Sequence, residues 1–122
     1  MARVLIIEDN PTNLKLATFL LQSVGHTVLS ATDAEAGLAR ARAERPDLIL
    51  MDVQLPGMSG LEATTQLKAD AATRAIPVVA LTALAMKGDE ERIRAAGCDG
   101  YIAKPMRYQE LIATVATHLP RP

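Results

Sequence analysis

Glu8, Asp9, Asp52, Thr82 and Lys104 lie far apart in the chain, yet each stands at the end of a short apolar run. Val4 to Ile7 runs into Glu8-Asp9, Leu48 to Met51 into Asp52, Val78 to Leu81 into Thr82-Ala83, and Tyr101 to Ala103 into Lys104-Pro105. Buried strands of a parallel sheet read as such runs, and open parallel sheets bind ligands beyond the carboxyl ends of their strands. Four strand ends therefore bring three carboxylates, a hydroxyl and an ammonium to one edge. Three carboxylates and one lysine sum to −2, and like charges gathered without a partner raise their own pKa values or destabilise the fold. A divalent cation removes that conflict. Oxygen ligands with no His or Cys among them favour Mg2+, which keeps several waters and is commonly held by one or two carboxylates together with phosphate oxygens. The cluster reads as a site for Mg2+ and a phosphoryl group.

Other polar residues carry less. Asp33, Asp47, Asp70, Asp89 and Asp99 read as solvated loop residues or helix caps, the ordinary role of an isolated acid. His26 and His118 each lack a second ligand at metal spacing and read as surface or partly buried side chains. Met51 reads as sheet core. Met58, Met86 and Met106 follow strand ends on the acidic side, where thioethers serve either a partner surface or the packing of their own loops.

The elements that position the cluster follow from periodicity. With Thr27 to Ala31, the apolar runs make five strand candidates. Between them, Leu14, Ala17, Leu21 and Val24 recur at helical spacing, as do Tyr108, Leu111, Ile112, Val115 and Leu119. Pro11 opens a helix and Gly25 closes it, Thr32 with Glu35 and Ser59 with Glu62 match capping boxes, and Pro46 and Gly97 supply further stops. A strand followed each time by a helix implies right-handed crossovers and a parallel sheet covered on both faces. The expected class is a three-layer α/β sandwich.

Composition bounds the rest. A chain of 122 residues, 49% hydrophobic and 22% charged, is one domain's worth of core and excludes a disordered tail. Thirteen basic against fourteen acidic residues give a net charge of −1, without the basic excess that nucleic-acid binding needs. No apolar run approaches a membrane span, and the four apolar residues before Glu8 are too few for a signal peptide. A single cysteine, Cys98, forms no internal disulfide and fits a reducing compartment. The expectation is a cytoplasmic protein that binds neither nucleic acid nor membrane, a single domain over 1–122 without an output domain.

Taken together, Val4 to Asn10, Asp47 to Gly60, Pro77 to Ala83 and Ala96 to Pro105 resemble the receiver (phosphoacceptor) domain of two-component response regulators, and the resemblance covers essentially the whole chain. The stretch Ala85 to Glu91 is most like freestanding single-domain cell-cycle regulators and the receivers of hybrid histidine kinases. The resemblance implies a five-stranded parallel sheet of order 2-1-3-4-5 in a flavodoxin-like fold. It implies that Asp52 takes a phosphoryl group from a histidine kinase or histidine phosphotransfer protein, while Asp9, Asp52 and the carbonyl of Gln54 hold Mg2+ and Glu8 acts through water. Lys104 is implied to pair with the phosphoryl oxygens, with the Thr82 hydroxyl and Ala83 amide donating to the same group. Lys104-Pro105 matches the family's cis-proline turn. Tyr101 matches the aromatic that fills the space left by the moving hydroxyl, changing the face of the fourth helix, fifth strand and fifth helix that selects a downstream protein. Gly88 adds to this by lowering helix propensity by about 1 kcal/mol near the start of the fourth helix.

Phosphoryl transfer needs an in-line nucleophile and charge neutralisation, which a carboxylate, a metal and an ammonium supply. On this reading the chain is not an enzyme beyond promoting its own phosphorylation and dephosphorylation. A phosphatase of the haloacid-dehalogenase type wants a second aspartate two residues after the first, where Gln54 stands. A mononucleotide binder wants a glycine- or hydroxyl-rich loop where Glu8-Asp9 stand. The live alternative is a protein-interaction adaptor whose partner reads the unphosphorylated surface.

Overall fold

A computed structural model describes residues 2–83 and 87–119. The elements run β1 (Arg3–Ile7), α1 (Pro11–Ser23), β2 (Thr27–Ala31), α2 (Ala34–Glu44), β3 (Leu48–Asp52), α3 (Gly60–Ala69), β4 (Val78–Thr82), α4 (Lys87–Ala95), β5 (Gly100–Ala103) and α5 (Tyr108–His118). All four strand pairings are parallel, in the order β2-β1-β3-β4-β5. The expected α/β class and strand order are therefore found.

The period of two along each strand builds two cores. Val4, Ile6, Leu48, Leu50, Val79, Leu81 and Ile102 face α1 and α5. Leu5, Ile7, Ile49, Met51, Val78 and Ala80 face α2, α3 and α4. β3 and β4 are buried along their whole length, as central strands covered on both sides must be. Among the described residues no helix is long and apolar enough to cross a membrane.

Local chemistry sets most boundaries. Asn10 caps α1, its side chain accepting from the amides of Thr12 and Asn13, and Pro11 takes the first helical position. Ser59 caps α3 by accepting from the Glu62 amide. The cap of α2 is Asp33 rather than Thr32: Asp33 has extended backbone and its carboxylate accepts from the Ala36 amide at 2.7 Å. α2 ends on Arg45 with φ of 43°, a left-handed residue without glycine's freedom, directly before Pro46.

Two expected apolar stripes are only partly buried. Ala17, Leu20 and Leu21 anchor α1, but Val24 follows the helix end and is exposed, as are Leu16 and Phe19. Leu111 and Val115 anchor α5 while Tyr108 is exposed. Met58 and Met106 are half-buried against the two cores; Ala85 and Met86 lie outside the described residues.

Candidate functional site

The carboxyl end of the sheet gathers the cluster. Asp52 is the last residue of β3, Thr82 the last of β4, Glu8 and Asp9 follow β1, and Lys104 follows β5. Glu8 continues the alternation of Val4 and Ile6, and Asp52 that of Leu48 and Leu50, so both turn toward the α1–α5 side. Glu8 is fully buried, Asp52 is 3% exposed and Asp9 is exposed. One carboxylate oxygen from each of the three lies within 4.8 Å of the others.

Lys104 bridges the two buried acids. Its Nζ stands 2.8 Å from Glu8 Oε1 and 3.1 Å from Asp52 Oδ2. The backbone shares the remaining load, since the Gln54 amide donates to Asp52 Oδ1 at 3.0 Å and the Asn10 amide to Glu8 Oε2 at 3.2 Å. The strand end itself is fixed by ladder bonds from the Val53 amide to the Leu81 carbonyl and from the Lys104 amide to the Thr82 carbonyl. The Lys104-Pro105 bond is cis. Gly60 opens α3 so close to β3 that a Cβ would run into the Asp52 carbonyl, so the helix start packs on β3 only with glycine there.

The charges do not balance. Burial pushes the Asp52 carboxyl up to about 7, helped by its hydrogen bond with Glu8 and only partly opposed by Lys104 and the Gln54 amide. Burial would raise Glu8 as well, but its contacts with Asp52 and Lys104 and the hydrogen bond from the Asn10 amide hold it below the ordinary carboxylate range. Burial lowers Lys104, and its contacts with Glu8 and Asp52 more than reverse that. Glu8 Oε1 remains fully buried with the ammonium beside it as an ion pair but without a hydrogen bond of good geometry. A buried acid facing a second acid, an oxygen short of a hydrogen bond and an exposed third carboxylate within reach make a donor set that fits a hard divalent cation.

Thr82 is buried and alternates with Val78 and Ala80 onto the α4 side; Ala83 beside it is exposed. In register, Tyr101 stands beside Ala80 and Ala103 beside Thr82, so half-buried Tyr101 lies on Thr82's own face of the sheet.

The acids read as structural have structural partners. Asp47 accepts from the Arg3 amide at the opposite end of the sheet, Asp70 pairs with Arg42, Asp89 with Arg92, and Asp99 with both Lys68 and the Val78 amide. His26 and His118 are half-buried and belong to no group of possible metal ligands among the described residues. Burial pushes the Cys98 thiol up, as expected of an inert core cysteine. Sequence reasoning missed Gly60 and the exposed apolar strip of α1, where Pro11, Thr12, Lys15, Leu16 and Phe19 line a shallow depression starting one residue beyond the Asp9-Asn10 loop. Phe19 is 67% exposed, a signal that appears only once the buried face of α1 is known.

Known proteins share this fold. The sequence profile of the response regulator receiver domain matches residues 4–116. The chain is 50% identical over 116 residues to the polar-differentiation response regulator DivK of Brucella anthropi, covering 95% of this chain and 94% of that one, and 49% identical to the DivK of Brucella abortus over the same length. Its fold matches that of the chemotaxis protein CheY4 of Vibrio cholerae, with a TM-score of 0.92 at 28% identity over 98% of this chain and 99% of that one. It also matches the receiver domain of the sensor histidine kinase PA1611 from Pseudomonas aeruginosa, with a TM-score of 0.89 at 36% identity over 96% of each chain; that structure has a magnesium ion coordinated in its active-site cleft.

Proposed function

The chain belongs to the response regulator receiver family, and from that premise we propose that Asp52 accepts a phosphoryl group from a phosphohistidine on a histidine kinase or phosphotransfer protein. The observation that carries this reading is the placement of Asp52: a nearly buried carboxylate at the end of the central strand, with an ammonium at 3.1 Å and two further carboxylates converging on it. An oxygen of Asp52 attacks the phosphorus, the phosphorus–nitrogen bond breaks, and its electron pair stays on the histidine ring, leaving an acyl phosphate. Asp9 and Asp52, with the Gln54 carbonyl, would hold Mg2+, and Glu8 would act on it through water. When bound, the ion supplies charge neutralisation for the ionised acceptor and the phosphoryl oxygens.

The chain's own residues do the rest. The Gln54 amide orients Asp52 through Oδ1. Lys104, held between Glu8 and Asp52, pairs with the phosphoryl oxygens, and Glu8 remains as its counter-charge. The Thr82 hydroxyl and Ala83 amide donate to the phosphoryl group. The donor protein covers the open side of the site and the apolar strip of α1 beside it. A change in Thr82 alters the α4–β5–α5 surface that selects a downstream protein, with Tyr101, on the same face, carrying it to the β5 and α5 side.

The test is incubation with acetyl phosphate and Mg2+, followed by intact mass. The expected result is a gain of one phosphoryl group that needs the metal, is lost in Asp52→Asn and survives in Asp47→Asn. A gain undiminished in Asp52→Asn overturns the assignment. No gain in the wild type leaves the adaptor reading. Thr82→Ala should keep phosphorylation and lose phosphorylation-dependent partner binding.

A further inference from the structure

α4 is held to the body differently from the other helices. α1 buries Ala17, Leu20 and Leu21, and α3 buries Gly60, Ala63, Thr64 and Leu67, whereas Ile93 alone is buried among the described side chains of α4. The seat of Ile93 is not filled. It borders a cavity of about 20 Å3 that it shares with Val53, Leu61, Thr82, Asp89 and Arg92, a space of the order that one water occupies. Thr82 enters this space from the sheet. Asp89 and Arg92, an ion pair at 3.4 Å, enter it from α4. Tyr101 does not line it; its side chain faces a groove on the other flank of Ile93, with Arg94 and His118.

We propose that this cavity is the seat through which α4 reads the position of Thr82, with Asp89 and Arg92 as positioning residues, by a route that does not pass through Tyr101. The inference rests on the reading of Asp52 as phosphoacceptor and of Thr82 as a hydroxyl drawn to the phosphoryl group. A hydroxyl leaving the cavity enlarges it and removes a polar neighbour from the Asp89–Arg92 pair. Packed interiors answer such a change by repacking in discrete steps, and a helix with a single buried apolar anchor is the element that yields. The same helix carries a built-in control: Glu90 and Arg94 form an ion pair at 2.9 Å that does not border the cavity.

The experiment is amide hydrogen exchange over residues 90–96, with and without beryllofluoride and Mg2+, in wild type, Asp89→Asn, Arg92→Gln, Glu90→Gln and Tyr101→Leu. Acetyl phosphate uptake is read on the same preparations. In wild type, exchange in this segment changes threefold or more. In Asp89→Asn and Arg92→Gln the change falls below half of that on a logarithmic scale, while Glu90→Gln and Tyr101→Leu retain it. Should Asp89→Asn melt early, Arg92→Gln at the solvent-exposed rim carries the comparison. Wild-type responses in both rim variants, or a response lost in Tyr101→Leu alone, overturn the cavity route. Mass gain on Asp52 without any change over 90–96 overturns it too and leaves the phosphoacceptor reading standing. Absence of mass gain in wild type overturns the phosphoacceptor reading itself.

Discussion

Removing the charge on Asp52 should stabilise the metal-free protein, and the gain should depend on pH. The carboxyl titrates at about 7 in the fold against an ordinary 3.8, because it is buried and faces Glu8. A rise of that size corresponds to about 4 kcal/mol against the charged form once the pH exceeds both values. Local relaxation and water entry reduce this, so the expectation is about 2 kcal/mol. The sign follows from proton counting: between the two values the folded state holds a proton that the unfolded state has released, so wild-type stability falls as pH rises from about 4 to about 7. Asn in place of Asp52 keeps an acceptor for the Gln54 amide and lacks the titration. Urea unfolding in EDTA should show Asp52→Asn and wild type nearly equal at pH 4. At pH 8 the variant should be ahead by about 2 kcal/mol, or about 8 °C in Tm for a domain of this size. Adding Mg2+ at pH 8 should narrow the gap, because only the wild type gains a ligand for its charge. A variant no more stable than wild type at pH 8, or ahead by the same margin at pH 4, refutes the argument.

Asp9→Asn should weaken Mg2+ binding severalfold by calorimetry, and equal affinities would remove Asp9 from the ligand set. Phe19→Asp should slow phosphoryl transfer from a phosphohistidine protein by on the order of tenfold while leaving acetyl phosphate uptake unchanged, since it alters a docking surface and not the acceptor; equal slowing with both donors counts against the α1 face. Arg45→Gly should raise stability by about 0.5 kcal/mol in urea unfolding, because the left-handed backbone at this helix end costs an L side chain more than it costs glycine. Gly88→Ala meets no atom within 4 Å, so it should strengthen α4 by about 1 kcal/mol and reduce the beryllofluoride-dependent exchange change there; an unchanged response argues against a readily shifted helix.

What could be read from the sequence was whatever depends on strand burial. β1, β3 and β4 are apolar on both faces, so their runs stand out and the residues ending them are placed at one edge. Asp52 and Thr82, read as following their runs, are in fact the last strand residues, because the Val53 and Lys104 amides extend the ladder past them. The α2 cap moved by one residue for a comparable reason: Thr32 and Asp33 are both competent caps, and only the backbone's extended conformation at Asp33 decides between them. Helix exposure was less legible. In α1, helical spacing groups Leu14, Ala17 and Leu21, but Leu16 and Phe19 are equally apolar, and composition alone does not say which side meets the sheet. Nor does sequence separate Glu8 from Asp9. Adjacent acids differ between full burial and exposure because strand alternation carries the first inward and the turn into α1 carries the second out.

The two ends of the sheet solve the same electrostatic problem differently, and the difference locates the function. At the amino end each acid is neutralised or satisfied by the fold: Asp47 takes the Arg3 amide, Glu44 pairs with the Arg3 guanidinium, and Asp99 takes Lys68 and the Val78 amide while it aligns β4. These are local fasteners in which each acid has an ion-pair or backbone partner supplied by the fold. At the carboxyl end, Glu8, Asp9 and Asp52 converge, and among the described residues the two buried acids compete for one lysine, Lys104, at 2.8 and 3.1 Å. A fold selected only for stability gains from replacing one of these acids with an uncharged residue, since an unbalanced buried charge costs more than the hydrogen bonds it makes. The excess is relieved by what arrives from outside. On the proposed reading a divalent cation would cancel two surplus negative charges, and Lys104 and the Thr82 end of β4 would meet the phosphoryl oxygens. On the proposed reading, the instability of this edge and its capacity to accept a phosphoryl group are one property of the same four side chains, because the acid whose burial costs the sheet most would also be the nucleophile.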